Sequence, residues 1–413
     1  MLFYKTYPNG LKLVINKIDG LMSVSTGVLV KTGSINETQE ENGISHFIEH
    51  TLFKGTKKRS AFDISDYIDG IGAQINAFTS KEITCYYTKS TKDHFGEALE
   101  VLSDIFFNSV FDEEELEKEK GVVIEEINMT EDAPEDLVMD LIAEAYYGKE
   151  GLGQTILGPA ENIKRFSKAD IINYMDSYYS ADNVVISVAG NVDIESAEKL
   201  VDSYFANNFN RIKSKPQFSD QKFYSNRVVK VKPIEQAHIA LSMPAFDIFD
   251  SRTDAFGLIN LVFGGGMSSR LFQTIREKLG LCYSVYSYPS QHKNSGVVEI
   301  YAGVNVKSRD SALNAIMEEI DKFKKFGITE KEFSRSKEQF KSSVIMSQES
   351  TASQMLLCGK NLLLLNRELD LEKRISDIEK LTLNGINDLV KECFDTTKMA
   401  VATLGPSQEK IKI

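Results

Sequence analysis

The sequence predicts an α+β protein built from two similar domains, and three observations carry that prediction. A chain of 413 residues is too long for one ordinary core, so two or more domains are expected. An order of strands followed by helices runs through the first half and starts again after the polar, unpatterned stretch Arg211 to Asp220. The apolar strand Asn183 to Gly190, near the end of the first half, is echoed by Met399 to Gly405 near the end of the second. The expected division is a first domain over 1–212, a linker over 213–226 and a second domain over 227–413.

The elements follow from local pattern. Phe3–Thr6 and Leu11–Ile15 alternate as strands across an Asn9-Gly10 turn, and Val24–Lys31 is a third strand. Gly43 opens a helix that ends near Gly55, and Ser60–Ile71 is a second helix stopped by Gly72. Gln74–Thr79 and Ile83–Tyr87 pair as strands. From Asp93 to Ile127 the period is helical, with Phe95, Leu99, Leu102, Ile105 and Phe106 as its apolar stripe. Ile194–Phe205 is helical after the Asn183 strand. In the second half, 228–231 and 238–242 are strands, and a helix follows Asp250. Two strands flank Ser295-Gly296, and long helices cover 308–326 and 329–347. Gly264–Gly266 are not followed by Gly-Lys-Ser/Thr, so they mark a tight turn and not a phosphate loop.

Composition narrows the function. A net charge of −12 argues against nucleic acid, whose phosphates need a Lys/Arg surface. That acidity suits the attraction of basic peptides, and equally suits solubility alone. Cys85, Cys282, Cys358 and Cys393 form no Cys-x-x-Cys pair and are expected as buried free thiols in a reducing compartment. The first residues show no basic-then-apolar leader, and the apolar run Met355–Leu365 is broken by Lys360 and too short for a bilayer. A cytoplasmic protein without a membrane partner is expected.

The chemistry is concentrated in His46-Phe47-Ile48-Glu49-His50. On a helix, residues four apart project side by side, so His46 and His50 can offer imidazole nitrogens to one zinc ion. Glu49 lies three residues after His46 on that face, within reach of a water on the metal. This is H-x-x-E-H, the inverted order of the H-E-x-x-H zinc protease motif. A catalytic zinc takes three protein ligands and keeps one position for water, so a third donor is needed from elsewhere. The helix Glu113 to Asn128 offers Glu119, Glu125 and Glu126, and register alone does not choose among them.

With these residues the chain resembles the pitrilysin-like (inverzincin) zinc metallopeptidases, a family that includes insulin-degrading enzyme and the mitochondrial processing peptidase. The resemblance implies Glu126 as third ligand, 76 positions beyond His50, and Glu119 as a carboxylate supporting the ligands from behind. It implies that Asn76-Ala77-Phe78 belongs to an edge strand on which extended substrate pairs, and that Arg276 and Tyr283 bind substrate and its oxyanion. The implied activity is zinc endopeptidase action on short or unfolded peptides, with one Zn2+ per chain and Glu49 as general base. The fold it implies is two homologous domains, each a mainly antiparallel sheet packed with helices, forming half of a clamshell chamber. Single-chain relatives carry four such domains and this chain has room for two. A homodimer with composite active sites is therefore expected. The alternatives are a non-catalytic or heteromeric assembly subunit, and a zinc-binding module without hydrolysis.

Overall fold

The computed structural model describes residues 1–209 and 221–406, in two compact units. One unit comprises Met1–Asn128, 155–209 and Ser347–Leu369; the other comprises Met129–Gln154, 221–346 and 370–406. The expected linker lies outside the described residues over 213–220, and 221–226 have no regular secondary structure.

The first unit holds β1 (Leu2–Thr6), β2 (Lys12–Lys17), β3 (Ser23–Val30), β4 (Gln74–Thr79), β5 (Thr84–Thr91) and β6 (Val184–Gly190). Their order across the sheet is β1-β2-β6-β3-β5-β4. The second unit holds β7 (Arg227–Val231), β8 (Gln236–Pro244), β9 (Cys282–His292), β10 (Ser295–Asn305) and β11 (Ala400–Gly405), ordered β7-β11-β8-β10-β9. Apart from the extra edge strand β1, the two orders are the same. In each, the last strand of the unit inserts centrally, parallel to one neighbour and antiparallel to the other. All other pairings are antiparallel. This is the expected duplicated α+β fold, and the echo between β6 and β11 is a shared place in the sheet.

The central strands of the first unit are apolar on both faces because both are covered. Leu13, Ile15, Val28, Val30 and Ile186 point into a core shared with Phe47, Ile48, Leu102 and Ile105. Alternate residues Val14, Leu29, Cys85, Val185 and Ala189 meet Met355, Cys358 and Leu362 on the other face. That covering helix, Thr351–Lys360, comes from late in the chain. Conversely, Pro134–Tyr147, from the first half, packs on β8 and β11 of the second unit. Neither helix falls on the side of a division at 213–226 that its sequence position indicates.

Three details differ from the pattern read in the sequence. The helical stretch 93–127 is two helices, Phe95–Asn108 and Glu113–Asp132. Buried Phe111 takes φ +51° between them, and Asp112 restarts the helix by accepting hydrogen bonds from Glu114 N and Glu115 N. The motif helix stops at Thr51 and not near Gly55. Ser295-Gly296 opens β10 instead of forming the turn. A Cβ on Gly296 would stand 1.9 Å from Phe246 O, so the glycine serves a close backbone approach. Among the described residues no helix is long and apolar enough to cross a membrane. Cys85, Cys358 and Cys393 are buried and Cys282 half-buried, all unbridged, as expected.

Met355 is fully buried among side chains of the first unit's sheet. Met355→Ala is expected to destabilise the protein by about 2–5 kcal/mol in urea unfolding. A loss below about 1 kcal/mol would contradict this packing role.

Candidate metal centre

The site is built on the short helix Ile44–Thr51, whose first turn is fixed by a buried carboxylate. Glu37 Oε2 accepts from Gly43 N at 2.8 Å and Asn42 Nδ2 at 3.0 Å, while Oε1 accepts from Ser45 N at 2.9 Å. The Gly43 and Ser45 N–H groups are ones a helix leaves unpaired at its start, and a negative charge there interacts favourably with the helix dipole. Burial pushes the Glu37 carboxyl upward despite those bonds. Gly43 takes φ +100°, and a Cβ there would meet Leu157 O at 2.6 Å, so the entry needs glycine. Ser45 Oγ bonds the Tyr174 hydroxyl, which also bonds Thr32 Oγ1. Ile44, Phe47 and Ile48 anchor the apolar face in the core, and the histidine face is left for the site.

That face meets helix Glu113–Asp132. His46 Nε2 lies 3.6 Å from Glu126 Oε2, and His50 Nε2 lies 3.4 Å from the same oxygen. One donor atom from each of the three residues falls within 4.8 Å of the others. A tetrahedral zinc with ligands at about 2.0–2.1 Å would separate its ligand atoms by about 3.3 Å. Two imidazoles and one carboxylate at this spacing therefore fit the ion. Glu126 is the carboxylate that reaches the histidines, whereas neighbouring Glu125 is exposed.

Glu119, almost wholly buried, supports the cluster from behind. His50 Nδ1–H donates to Glu119 Oε1 at 2.8 Å, which leaves the Nε2 lone pair directed at the cluster. Lys54 Nζ lies 2.6 Å from Glu119 Oε2. Burial opposes the Glu119 charge, but the bonds and charges of His50 and Lys54 outweigh it and lower its pKa. Burial also opposes the His50 charge; Glu119, with Glu126 and Glu49, more than offsets that and raises its pKa. His46 is pushed down to about 3 by burial and by neighbouring His50. Glu49 is raised by burial, against the hydrogen bond it accepts from Thr79 Oγ1 at 2.5 Å.

The other candidate residues fall in two places. Asn76, Ala77 and Phe78 lie on β4, which among the described residues is an edge strand paired with β5 alone. Asn76 is exposed, and its Oδ1 accepts from Ala77 N at 2.8 Å; Phe78 packs against Tyr87. Arg276 and Tyr283 belong to the second unit and meet there. The Arg276 guanidinium lies 4.7 Å from the Phe272 ring centre and 4.9 Å from that of Tyr283, a ring 75% exposed. Among the described residues, that unit contains no group of His, Cys, Asp or Glu donors resembling the first unit's. Sequence reasoning missed Glu37, Lys54 and Thr79. Only Lys54, one turn beyond His50, carried a local signal.

Metal binding requires neutral imidazoles. His46 already meets that condition near neutrality, whereas His50 holds its proton to a pH above the ordinary histidine value. Zinc affinity is therefore expected to fall about tenfold per pH unit as pH drops through the raised His50 pKa, a one-proton dependence. Chelator competition between about pH 5.5 and 8.5 would show it, and a flat profile would contradict it.

Known proteins match this chain over nearly its whole length. The family description "Insulinase (Peptidase family M16)" matches residues 13–160, and "Peptidase M16 inactive domain" matches residues 165–340. The chain is 44% identical over 405 residues to the Bacillus subtilis protein named uncharacterized zinc protease YmxG, covering 97% of this chain and 98% of that one. It is 33% identical to a Streptomyces coelicolor protein also named an uncharacterized zinc protease, covering 98% and 90%. Two solved structures share the fold. A peptidase M16 inactive domain from Pseudomonas fluorescens has TM-score 0.92 at 20% identity, with both chains fully covered. A protease from Helicobacter pylori has TM-score 0.92 at 23% identity, covering 98% and 99%.

Proposed function

Because the chain belongs to the pitrilysin-like peptidase family M16, we propose that it is a zinc-dependent endopeptidase acting on extended, short or unfolded peptides. The observation that carries this reading is the meeting of His46, His50 and Glu126 donor atoms beside Glu49. The names of the relatives support zinc as the ion, and the one group of donors among the described residues supports one ion per chain. When bound, zinc lowers the pKa of water toward neutrality and polarises the scissile carbonyl.

The chain's own residues then divide the work. Glu49 takes the proton of the attacking water and returns it to the leaving amine. Glu119 and Lys54 hold His50 in the ligating tautomer. The free edge of β4, at Asn76, Ala77 and Phe78, receives the peptide by main-chain hydrogen bonds. Tyr283 donates to the developing oxyanion, and Arg276 holds the substrate backbone beside it. As a two-domain member, the chain works as a homodimer enclosing a chamber, each zinc site completed by the arginine and tyrosine of the partner subunit. Its unbridged cysteines suit a reducing, cytoplasmic setting.

The test is incubation of the purified protein with a mixture of unstructured peptides, with products read by mass spectrometry. Cleavage is expected in the native protein and is lost on chelation. Glu49→Gln should keep its zinc and cut at least about 100-fold more slowly. Zinc-loaded native protein that makes no cuts would overturn the reading in favour of a non-catalytic or heteromeric assembly subunit. The dimer has its own test, in which Glu49→Gln chains are mixed with Tyr283→Phe chains. After complete exchange about half the dimers are mixed, each with one intact site, so roughly a quarter of native activity should return. No recovery after verified subunit exchange would contradict composite sites.

A further inference from the structure

Thr79 is the last residue of β4, and its hydroxyl donates to Glu49 Oε2 at 2.5 Å. Along β4, Ile75, Ala77 and Thr79 share one face, and Asn76 and Phe78 share the other. The hydroxyl is carried on a fixed turn. Thr79 pairs with Thr84, Ser80 N donates to Ile83 O at 2.8 Å, and Ile83 N donates back to Ser80 Oγ at 3.2 Å. The donor therefore belongs to a rigid hairpin end, while its acceptor ends a glutamate side chain with several rotatable bonds.

From this geometry we infer that Thr79 is a positioning residue for the general base, an inference that rests on the endopeptidase reading. Its hydroxyl fixes one oxygen of Glu49 and leaves the other to receive the proton of the attacking water. A carboxylate free to rotate spends only part of its time in the productive orientation, and small misplacements of a reacting group cost large factors in rate. The strand that offers its edge to the peptide also holds the base. Substrate register and base orientation are thus referred to one element, and a shift of β4 moves both together.

The test compares Thr79→Val, which keeps the shape and removes the donor, with Thr79→Ser, which keeps the donor. Peptide cleavage kinetics, zinc affinity by chelator competition and thermal midpoint are measured for each. Thr79→Val is expected to lower kcat roughly 10- to 100-fold with KM, zinc affinity and thermal midpoint near native values. Thr79→Ser should restore most of kcat. In a Glu49→Asp background, where the shortened carboxylate lies beyond the hydroxyl's reach, Thr79→Val should have little further effect. A native kcat in Thr79→Val, a loss confined to KM or zinc affinity, or full additivity with Glu49→Asp would each overturn the inference. Native protein that cleaves while Thr79→Val behaves identically defeats only this inference. Native protein that cleaves nothing defeats the endopeptidase reading beneath it.

Discussion

The buried carboxylate of Glu37, closing the first turn of the motif helix, is the constraint on which the site's geometry depends. Three bonds to Gly43, Asn42 and Ser45 fix where the Ile44–Thr51 helix begins and how it is rotated. With the start fixed and Phe47 and Ile48 in the core, His46 and His50 can face only the acidic helix. An eight-residue helix has too few internal hydrogen bonds to hold its own orientation, so the cap and the apolar face supply it. The anion is hidden at a helix N-terminus, where unpaired amides and the helix dipole offset part of its desolvation.

From that anchor the site extends as a chain of charge-assisted contacts. Lys54 meets Glu119, Glu119 meets His50, and His50 and His46 both meet Glu126. The buried Glu119 carboxylate thus has a donor on each oxygen at hydrogen-bond distance, His50 on one and Lys54 on the other. Glu126 carries the least support and the greatest exposure of the acids facing the histidines. The two histidines differ in character: burial and His50 push His46 down to about 3, whereas the acids around His50 outweigh its burial and raise its pKa.

Much of this was legible in the sequence because local pattern and local chemistry coincide there. Strand alternation located the sheets, and helical spacing alone put His46 and His50 on one face of the motif helix. Glu126 was different: its helix offers several acids in suitable register, and the choice needed the spacing of a known family. Most of what stayed hidden was non-local. Nothing near Thr79 or Glu37 in sequence signals that one would hold Glu49 and the other cap the motif helix. Pro134–Tyr147 and Thr351–Lys360 each pack on a sheet remote in sequence, which composition cannot express. The break at Phe111 was masked because an apolar residue fits a helical stripe equally well when it ends the helix.

X-ray absorption at the zinc edge of the zinc-loaded protein tests the metal centre most directly. Nitrogen and oxygen neighbours only are expected, at about 2.0–2.1 Å, with the outer-shell signature of two imidazoles that falls to one in His50→Phe. Sulfur at about 2.3 Å, or a spectrum unchanged by His50→Phe, would contradict it.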